Sequence, residues 1–498
     1  MDKEIYDLLI IGGGINGTGI ARDAAGRGLS VCLVEKNDLA SGTSSKSSKL
    51  IHGGLRYLEY GEFRLVREAL RERETLMRIA PHLVSPLRIV LPHHKGLRPK
   101  WMLRLGLFMY DHIGGGRTLP GTSVTNLRTG AGKDVLKPEF ETGFVFSDCR
   151  VDDARLVVAN ALGAQERGAE ILVRSKCVGL SHKDNIWQAT ISEHPGGAAR
   201  VIKAKCIVNA SGIRVDDLVE LALGTEHPDH LRLVKGSHIV TKRLYPGRQL
   251  YMFQNPGIET PDGRIIFAIP YEQDYTLIGT TDAPYELSDG PIEISEEETD
   301  YLLHAANQYF AKAISKDDIV WSYAGVRPLY DNNKGSASAV TRDYVFDVKD
   351  DTTPPILSIF GGKITTYREL SEHALRKLGK YFPSMGADWT GGETLPGGDL
   401  GTDFDNFVEI KAGIYPFLPA PHLLRLCRSY GTNLDALLGG VKSVSDMGHD
   451  FGGTLTEREA RYLVKHEWAK TAQDILWRRT KCGLHMSEAE RSAFRDWF

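Results

Sequence analysis

The sequence predicts an α/β chain that ends in an all-helical domain, and three observations predict it. A short apolar strand, a glycine-rich turn and an alanine-rich helix open the chain between residues 6 and 28. The order of strand, glycine pair and helix returns at 357–378. Between 388 and 403 the composition shifts to Gly, Pro and Asp, and from there to the C-terminus the pattern is helical and poor in strands.

The first unit is built to hold a nucleotide. Tyr6-Asp7-Leu8-Leu9-Ile10-Ile11 suits a buried parallel strand. It runs into Gly12-Gly13-Gly14-Ile15-Asn16-Gly17, which satisfies G-x-G-x-x-G, and the helix after it closes at Gly28. Gly12 permits the tight turn, Gly14 lets backbone approach a pyrophosphate, and Gly17 allows close packing of helix on strand. The helix N-terminus faces the phosphates. A second strand, SVCLVEK, brings Glu35 to its end, 18 residues past Gly17. That carboxylate is placed to accept both ribose hydroxyl hydrogens and disfavours a 2′-phosphate, so NADP is not expected.

No second unit of this kind appears downstream, whereas an NAD dehydrogenase would continue with further βαβ units. The chain instead enters SGTSSKSSKLIHGGLRYL (41–58), whose hydroxyls and amides suit the pyrophosphate and ribityl chain of an extended FAD. Ser47, Ser48, Lys49 and Gly53 join Gly12, Gly14, Asn16, Gly17 and Glu35 as expected cofactor contacts. The strand at 204–209 ends in small residues, with Ala210 and Gly212 open to close approach. In the 357–366 unit, Gly362, Lys363 and Thr365 precede a helix with Tyr367, Leu370, Ala374 and Leu378 on one face. Thr366 with Glu369 fits a capping box there. That helix N-terminus suits the negative charge a flavin acquires on reduction.

With 498 residues and 42% apolar content, the chain supports two or three domains and a sizeable core. Lys and Arg total 61 against 64 acids, a balance that offers no bulk attraction to nucleic acid. The six cysteines are scattered without a CxxC pair, so they are expected to be reduced core residues in a cytosolic setting, and no metal site is expected. The N-terminus lacks the order of a signal peptide, and no stretch approaches the roughly 20 apolar residues of a spanning helix.

The chain resembles the aerobic, FAD-dependent glycerol-3-phosphate dehydrogenases of bacteria, within the wider family of flavin oxidases related to amino-acid oxidases. The resemblance rests on IIGGGINGTGIARDAAGRGLSV, SSKLIHGGLRYLE, GLFMYDH, DCRVDDARLV, KGSHIV, IGTTD, GVRPL, FGGKITTYR and YLVKHEWAKTAQDILWRRTK, which run from residue 10 to residue 481. It implies a Rossmann-like FAD-binding domain in three segments (1–75, 151–217 and 338–388) and an inserted antiparallel-sheet substrate domain in two (76–150 and 218–337). A helical cap then occupies 389–498. The activity implied is oxidation of sn-glycerol 3-phosphate at C2 to dihydroxyacetone phosphate, with hydride passing to FAD and electrons to a membrane quinone.

Such a reaction needs cations for a phosphate near its dianion and a base for the C2 hydroxyl proton. Arg56 follows His52 across a Gly-Gly pair, Arg327 sits before a proline at a strand end, and Lys363 opens a helix. The resemblance implies that Arg56, Arg327 and Lys363, with Tyr57, converge on the substrate beside the flavin ring. Lys363 is equally suited to binding FAD. His52 and His238 compete as the proton acceptor, since neighbouring cations keep an imidazole neutral. Arg64, Arg67, Arg71 and Arg73, on the helix after the loop, are read as solvated surface charges.

The stretch HHKGLRPKWMLRLGLFMY (93–110) joins Lys95, Arg98, Lys100 and Arg104 to Trp101 and Phe108. It suits the headgroup region of a bilayer, or an inner helix of the substrate domain. The resemblance favours peripheral attachment to the inner face of the cytoplasmic membrane, and it leaves a homodimer open. Two alternatives stand beside this reading: an oxygen-using glycerol-3-phosphate oxidase, and a FAD-binding protein without turnover.

Overall fold

The computed structural model describes residues 4–116, 118–193, 195–224, 231–254, 265–331 and 343–498. The expected segment boundary between 337 and 338 lies outside the described residues. As the sequence predicts, the chain combines an α/β unit with a helical C-terminal region.

Tyr6–Ile11 lies at the centre of the first sheet. It pairs in parallel with Val31–Val34 on one side and Ala199–Asn209 on the other. Glu170–Leu172 extends the sheet in parallel beyond Val31–Val34, and Ile356–Phe360 does so beyond Ala199–Asn209. Both faces are covered, so the central strand is apolar throughout, and Leu8, Leu9 and Ile10 are fully buried. Helices Ile15–Gly26, Asp153–Gln165 and Tyr367–Leu378 cover one face, joining Ala21, Ala24, Val157, Ala161, Leu370 and Ala374 in a single core. A hairpin, Ser175–Lys183 with Ile186–Glu193, covers the other and buries Trp187.

The expected capping box at the third of these helices is absent. Thr366 sits at its N-cap without a side-chain hydrogen bond, because a 3-10 turn, Ile364–Thr366, leads into the helix. The predicted apolar face of that helix is buried in full.

Among the described residues the second sheet has ten strands, antiparallel except where Val84–His93 meets Leu250–Gln254. Its long strands, Leu231–Lys242 and Ile319–Tyr330, pair in register from Leu231–Tyr330 to Val240–Trp321. Leu50–Ile51, which falls within the first expected nucleotide-domain segment, pairs with this second sheet. Helix Glu296–Asn307 packs on one face and helices Phe63–Ile79 and Lys100–Ile113 on the other. Arg73 is not a surface charge: only 6% of it is exposed, and it donates to Asp148 at 2.9 Å. Arg64 is exposed, as expected.

Beyond 403 the described structure is helical, with its own apolar core of Leu426, Leu437, Ala460, Leu463, Ile475 and Phe494. The 388–403 stretch is irregular yet packed, with Trp389 donating to the Asp23 carbonyl and Leu395 to that of Ile79. Five of the six cysteines are buried, and Cys177 is half-buried.

Candidate cofactor and active site

Three parallel strands deliver Gly12, Ala210 and Gly361 to one edge of the first sheet, the carboxyl end at which open α/β sheets take ligands. Gly12 adopts φ +120°, and a Cβ there would overlap the carbonyl oxygen of Ala210. A Cβ on Gly17 would overlap the Gly12 carbonyl, so the helix sits against the turn only because both residues lack side chains. At Gly14 the backbone is extended, and a Cβ would meet only the Ser44 hydroxyl, at 3.1 Å. A side-chain hydroxyl, and no backbone, therefore faces the Gly14 position.

Glu35 accepts the amide hydrogens of Gly13 and Asn37, each at 2.7 Å. Burial pushes its carboxyl up, and these two amides draw it partly back. Each oxygen keeps a further lone pair for a ribose hydroxyl. Asn16 ties the first glycine turn to the second by donating to the Gly361 carbonyl at 3.3 Å. Its Oδ1 is buried without a hydrogen-bond donor, beside Gly362 at φ +99°. An extended dinucleotide fits these groups: a turn faced only by a side-chain hydroxyl at Gly14, an acid beside the ribose position and an orphaned acceptor between the turns.

The Ser/Lys loop crosses this edge. Ala40 donates to the Gly13 carbonyl at 3.0 Å, Ser44 accepts from the Ile15 amide at 3.0 Å, and Thr43 donates to the Val326 carbonyl at 2.7 Å. Ser47 and Lys49 turn their side chains to Asp153, each donating to Oδ2 at 2.7 Å. Ser48 Oγ lies 2.9 Å from His238 Nε2. Gly53 donates to the Tyr110 hydroxyl at 2.7 Å and is packed against Leu70, while Gly212 takes φ +65° after Ala210.

The structure groups the remaining candidates into two histidine–cation pairs. His52 donates its amide to Thr365 Oγ1 at 3.4 Å, and burial, then Lys363, pushes its imidazole down to about 4. Lys363 Nζ stands 4.2 Å from the Tyr57 ring centroid. His238 is 2% exposed and stacks on Tyr323 at 4.7 Å, with Nδ1 buried and unpartnered. Burial, then Lys49 and Arg327, holds it well below the ordinary histidine range. Arg327 pairs with Asp282 and donates to Thr280 Oγ1 at 3.0 Å. Arg56 donates to the hydroxyl of exposed Tyr60 at 3.3 Å, one residue along from Tyr57. The backbone beside the two cations comes close, since a Cβ on Gly361, two residues before Lys363, would lie 3.6 Å from the carbonyl of Pro328, which follows Arg327.

Sequence reasoning assigned no role to Asp153, Tyr110, Thr280 or Asp282. All four lie in stretches that carried the resemblance (DCRVDDARLV, GLFMYDH, IGTTD), so the signal was present without the partner. Tyr110 bridges Gly53 to Asp148, donating to Oδ1 at 2.8 Å. Among the described residues, no His, Cys, Asp and Glu cluster could hold a metal ion.

Residues 7–368 match the FAD dependent oxidoreductase family, and 389–496 match the C-terminal domain of alpha-glycerophosphate oxidase. The aerobic glycerol-3-phosphate dehydrogenase of Escherichia coli (strain K12) is 48% identical over 495 residues, covering 99% of this chain and 97% of the relative. The D-erythritol 1-phosphate dehydrogenase of Brucella abortus (strain 2308) is also 48% identical, over 100% of this chain and 98% of its own. Among solved structures, the glycerol-3-phosphate dehydrogenase of Bacillus halodurans complexed with FAD superimposes with a TM-score of 0.76. Its identity is 29%, over 100% of this chain and 94% of that one.

Proposed function

Because the chain belongs to the family of FAD-dependent oxidoreductases, we propose that its substrate is glycerol 3-phosphate, oxidised at C2 to dihydroxyacetone phosphate. The cofactor is FAD. Bound FAD supplies the acceptor for the C2 hydrogen and its electron pair. The amides and open backbone of Gly12–Gly17, Glu35, Asn16, Ala210, Gly212, Gly362 and Thr365 would hold it.

One observation carries the reading: two imidazoles, His238 buried and His52 part-buried, each held below the ordinary histidine range by burial and a nearby cation, at the edge where the glycine turns meet. Oxidising a phosphorylated alcohol takes a base that starts neutral and cations that hold the phosphate. Lys363 and Arg327, with Arg56 and Tyr57 nearby, are assigned to the phosphate. His52 is assigned the hydroxyl proton. A phosphate dianion beside Lys363 offsets that lysine's effect and raises the imidazole toward the working range. His238, held by Ser48, is assigned to orienting the alcohol and is the second candidate base.

A second reading is favoured by the Brucella abortus relative, which matches as fully as the Escherichia coli one. In it the substrate is a four-carbon polyol phosphate such as D-erythritol 1-phosphate. The test is anaerobic flavin bleaching followed by kcat/KM for the two phosphates side by side. A preference of about tenfold or more for glycerol 3-phosphate, worth about 1.4 kcal/mol, supports the first reading. The reverse order gives the site to the longer substrate. Colourless wild-type protein that binds NAD would overturn both.

The acceptor we assign is a membrane quinone, reached by peripheral docking. This rests on helix Lys100–Ile113, which packs through Leu107 and Tyr110 and turns Trp101, Leu105 and Phe108 outward. No helix among the described residues is long and apolar enough to cross a membrane.

A further inference from the structure

The Trp477-Arg478-Arg479-Thr480-Lys481 segment of the C-terminal region takes no part in the chemistry above, yet it holds much of the buried charge between that region and the nucleotide-binding sheet. Asp38, 1% exposed, accepts from Arg478 Nε at 2.6 Å and from both Arg479 Nη atoms at 2.8 and 2.9 Å. Asp38 opens the loop that runs from Glu35 across the glycine turn. At the far end of that loop, Lys49 and Ser47 are bound to Asp153. Its neighbour Asp152 pairs with Lys481. Midway, Lys46 Nζ stands 5.9 Å from the Trp321 ring centroid, and Trp477 stacks on Trp321 at 4.9 Å.

One short segment therefore grips the start of the loop directly at Asp38 and backs its middle and end through Trp321 and Asp152. The loop needs such support. Ala40 and Lys49 both adopt left-handed backbone, at φ 60° and 58°, a conformation that non-glycine residues keep only where their surroundings impose it. Lys481 is itself left-handed at φ 55°. The loop also contributes Ala40 and Ser44 to the glycine turn and Thr43 to the strand that carries Arg327.

We propose that Trp477–Lys481 is the positioning element of the 36–49 loop, so that retention of FAD depends on the C-terminal domain. The domain then does more than cover the fold: it clamps the loop that closes the dinucleotide site. The inference rests on the FAD assignment, and its test includes a readout independent of bound flavin.

The experiment compares holoenzyme variants Arg478→Gln and Lys481→Met with Lys411→Met. Lys411 pairs with Asp435 inside the C-terminal domain, away from the segment, and so controls for general destabilisation. FAD loss on dilution is followed by flavin fluorescence, hydrogen exchange is read on peptides spanning 36–49, and circular dichroism checks the fold. The expected result is FAD loss faster by about tenfold or more in the two segment variants, the least expected when a buried ion pair is opened. Exchange should rise in 36–49 in those variants and not in the control. Trp477→Leu, which removes the stack and no charge, carries the same test if a charge variant fails to fold. Equal FAD loss and equal protection of 36–49 in segment and control variants overturn the proposal. Wild type without FAD defeats the cofactor assignment alone, since the exchange readout still decides whether the segment orders the loop.

Discussion

Arg327 shows what a single guanidinium must do here. Asp282 and Thr280 hold it from one side, yet its five donors leave others for a phosphate. Arg327→Ala should leave the fold intact, because Asp282 is about half exposed and stays solvated. It should raise KM for glycerol 3-phosphate and lower kcat/KM by on the order of 1.5–3 kcal/mol, with the flavin spectrum unchanged. Bleaching by substrate as ready as in wild type would remove Arg327 from the site. A second residue-scale expectation concerns acid. Burial, then Arg155 and Arg428, pushes His82 down to about 3, against an ordinary 6.5. Folded protein therefore keeps this imidazole neutral where the unfolded chain protonates it, so stability falls as pH drops from 6.5 toward 3. His82→Asn should flatten that fall by about one proton, or about 1.4 kcal/mol per pH unit, in urea unfolding measured from about pH 6 to 4. An unchanged slope would show that His82 titrates normally in the fold. Residues of this kind mark the limit of what a sequence carries. The spacing of Gly12, Gly14 and Gly17 is local and was legible. That Ser47 and Lys49 close on Asp153, or that Arg73 buries itself on Asp148, depends on partners more than 70 positions away.

At the scale of elements, strand, turn and helix were legible from pattern because period, glycine and alanine content all agree there. The false capping box at Thr366 shows the opposite case. Its spacing was right, but a 3-10 turn entering the helix left the hydroxyl without the amide it would have capped. The glycine turn allows a sharper test, since two of its glycines are required for different reasons. A Cβ at Gly17 strikes backbone, whereas one at Gly14 meets only the movable Ser44 hydroxyl. Gly17→Ala should lose about 1–3 kcal/mol to overpacking and lose FAD with it. Gly14→Val should keep the apoprotein's melting temperature within a few degrees yet purify without flavin. Both variants losing stability alike would mean that Gly14 serves packing and not the pyrophosphate.

The whole molecule must deliver electrons somewhere, and if the acceptor is a quinone dissolved in a bilayer, the enzyme has to dock there. Helix Lys100–Ile113 offers the surface. Trp101, Leu105 and Phe108, 65%, 53% and 60% exposed, recur at helical spacing on one face, while Leu107 and Tyr110 anchor the other in the core. Apolar groups this open are unusual together unless something covers them. Around them stand Lys95, Lys100 and Arg104, with Arg98 sharing its charge with Glu59 at 3.1 Å and so contributing less. Each cation near an anionic surface is worth about 1 kcal/mol, less as salt rises. Liposome sedimentation should therefore show binding that grows with anionic lipid and falls with ionic strength. Replacing the four cations by serine should weaken binding and quinone-linked turnover while sparing activity with a soluble dye. Trp101→Ala with Phe108→Ala should weaken binding in a salt-independent way, because the lost term is apolar burial. Unchanged liposome binding in both variants would move the docking face elsewhere. Wild type that ignores liposomes and yields stoichiometric peroxide would make the protein an oxidase, and would leave the apolar face of this helix to another partner.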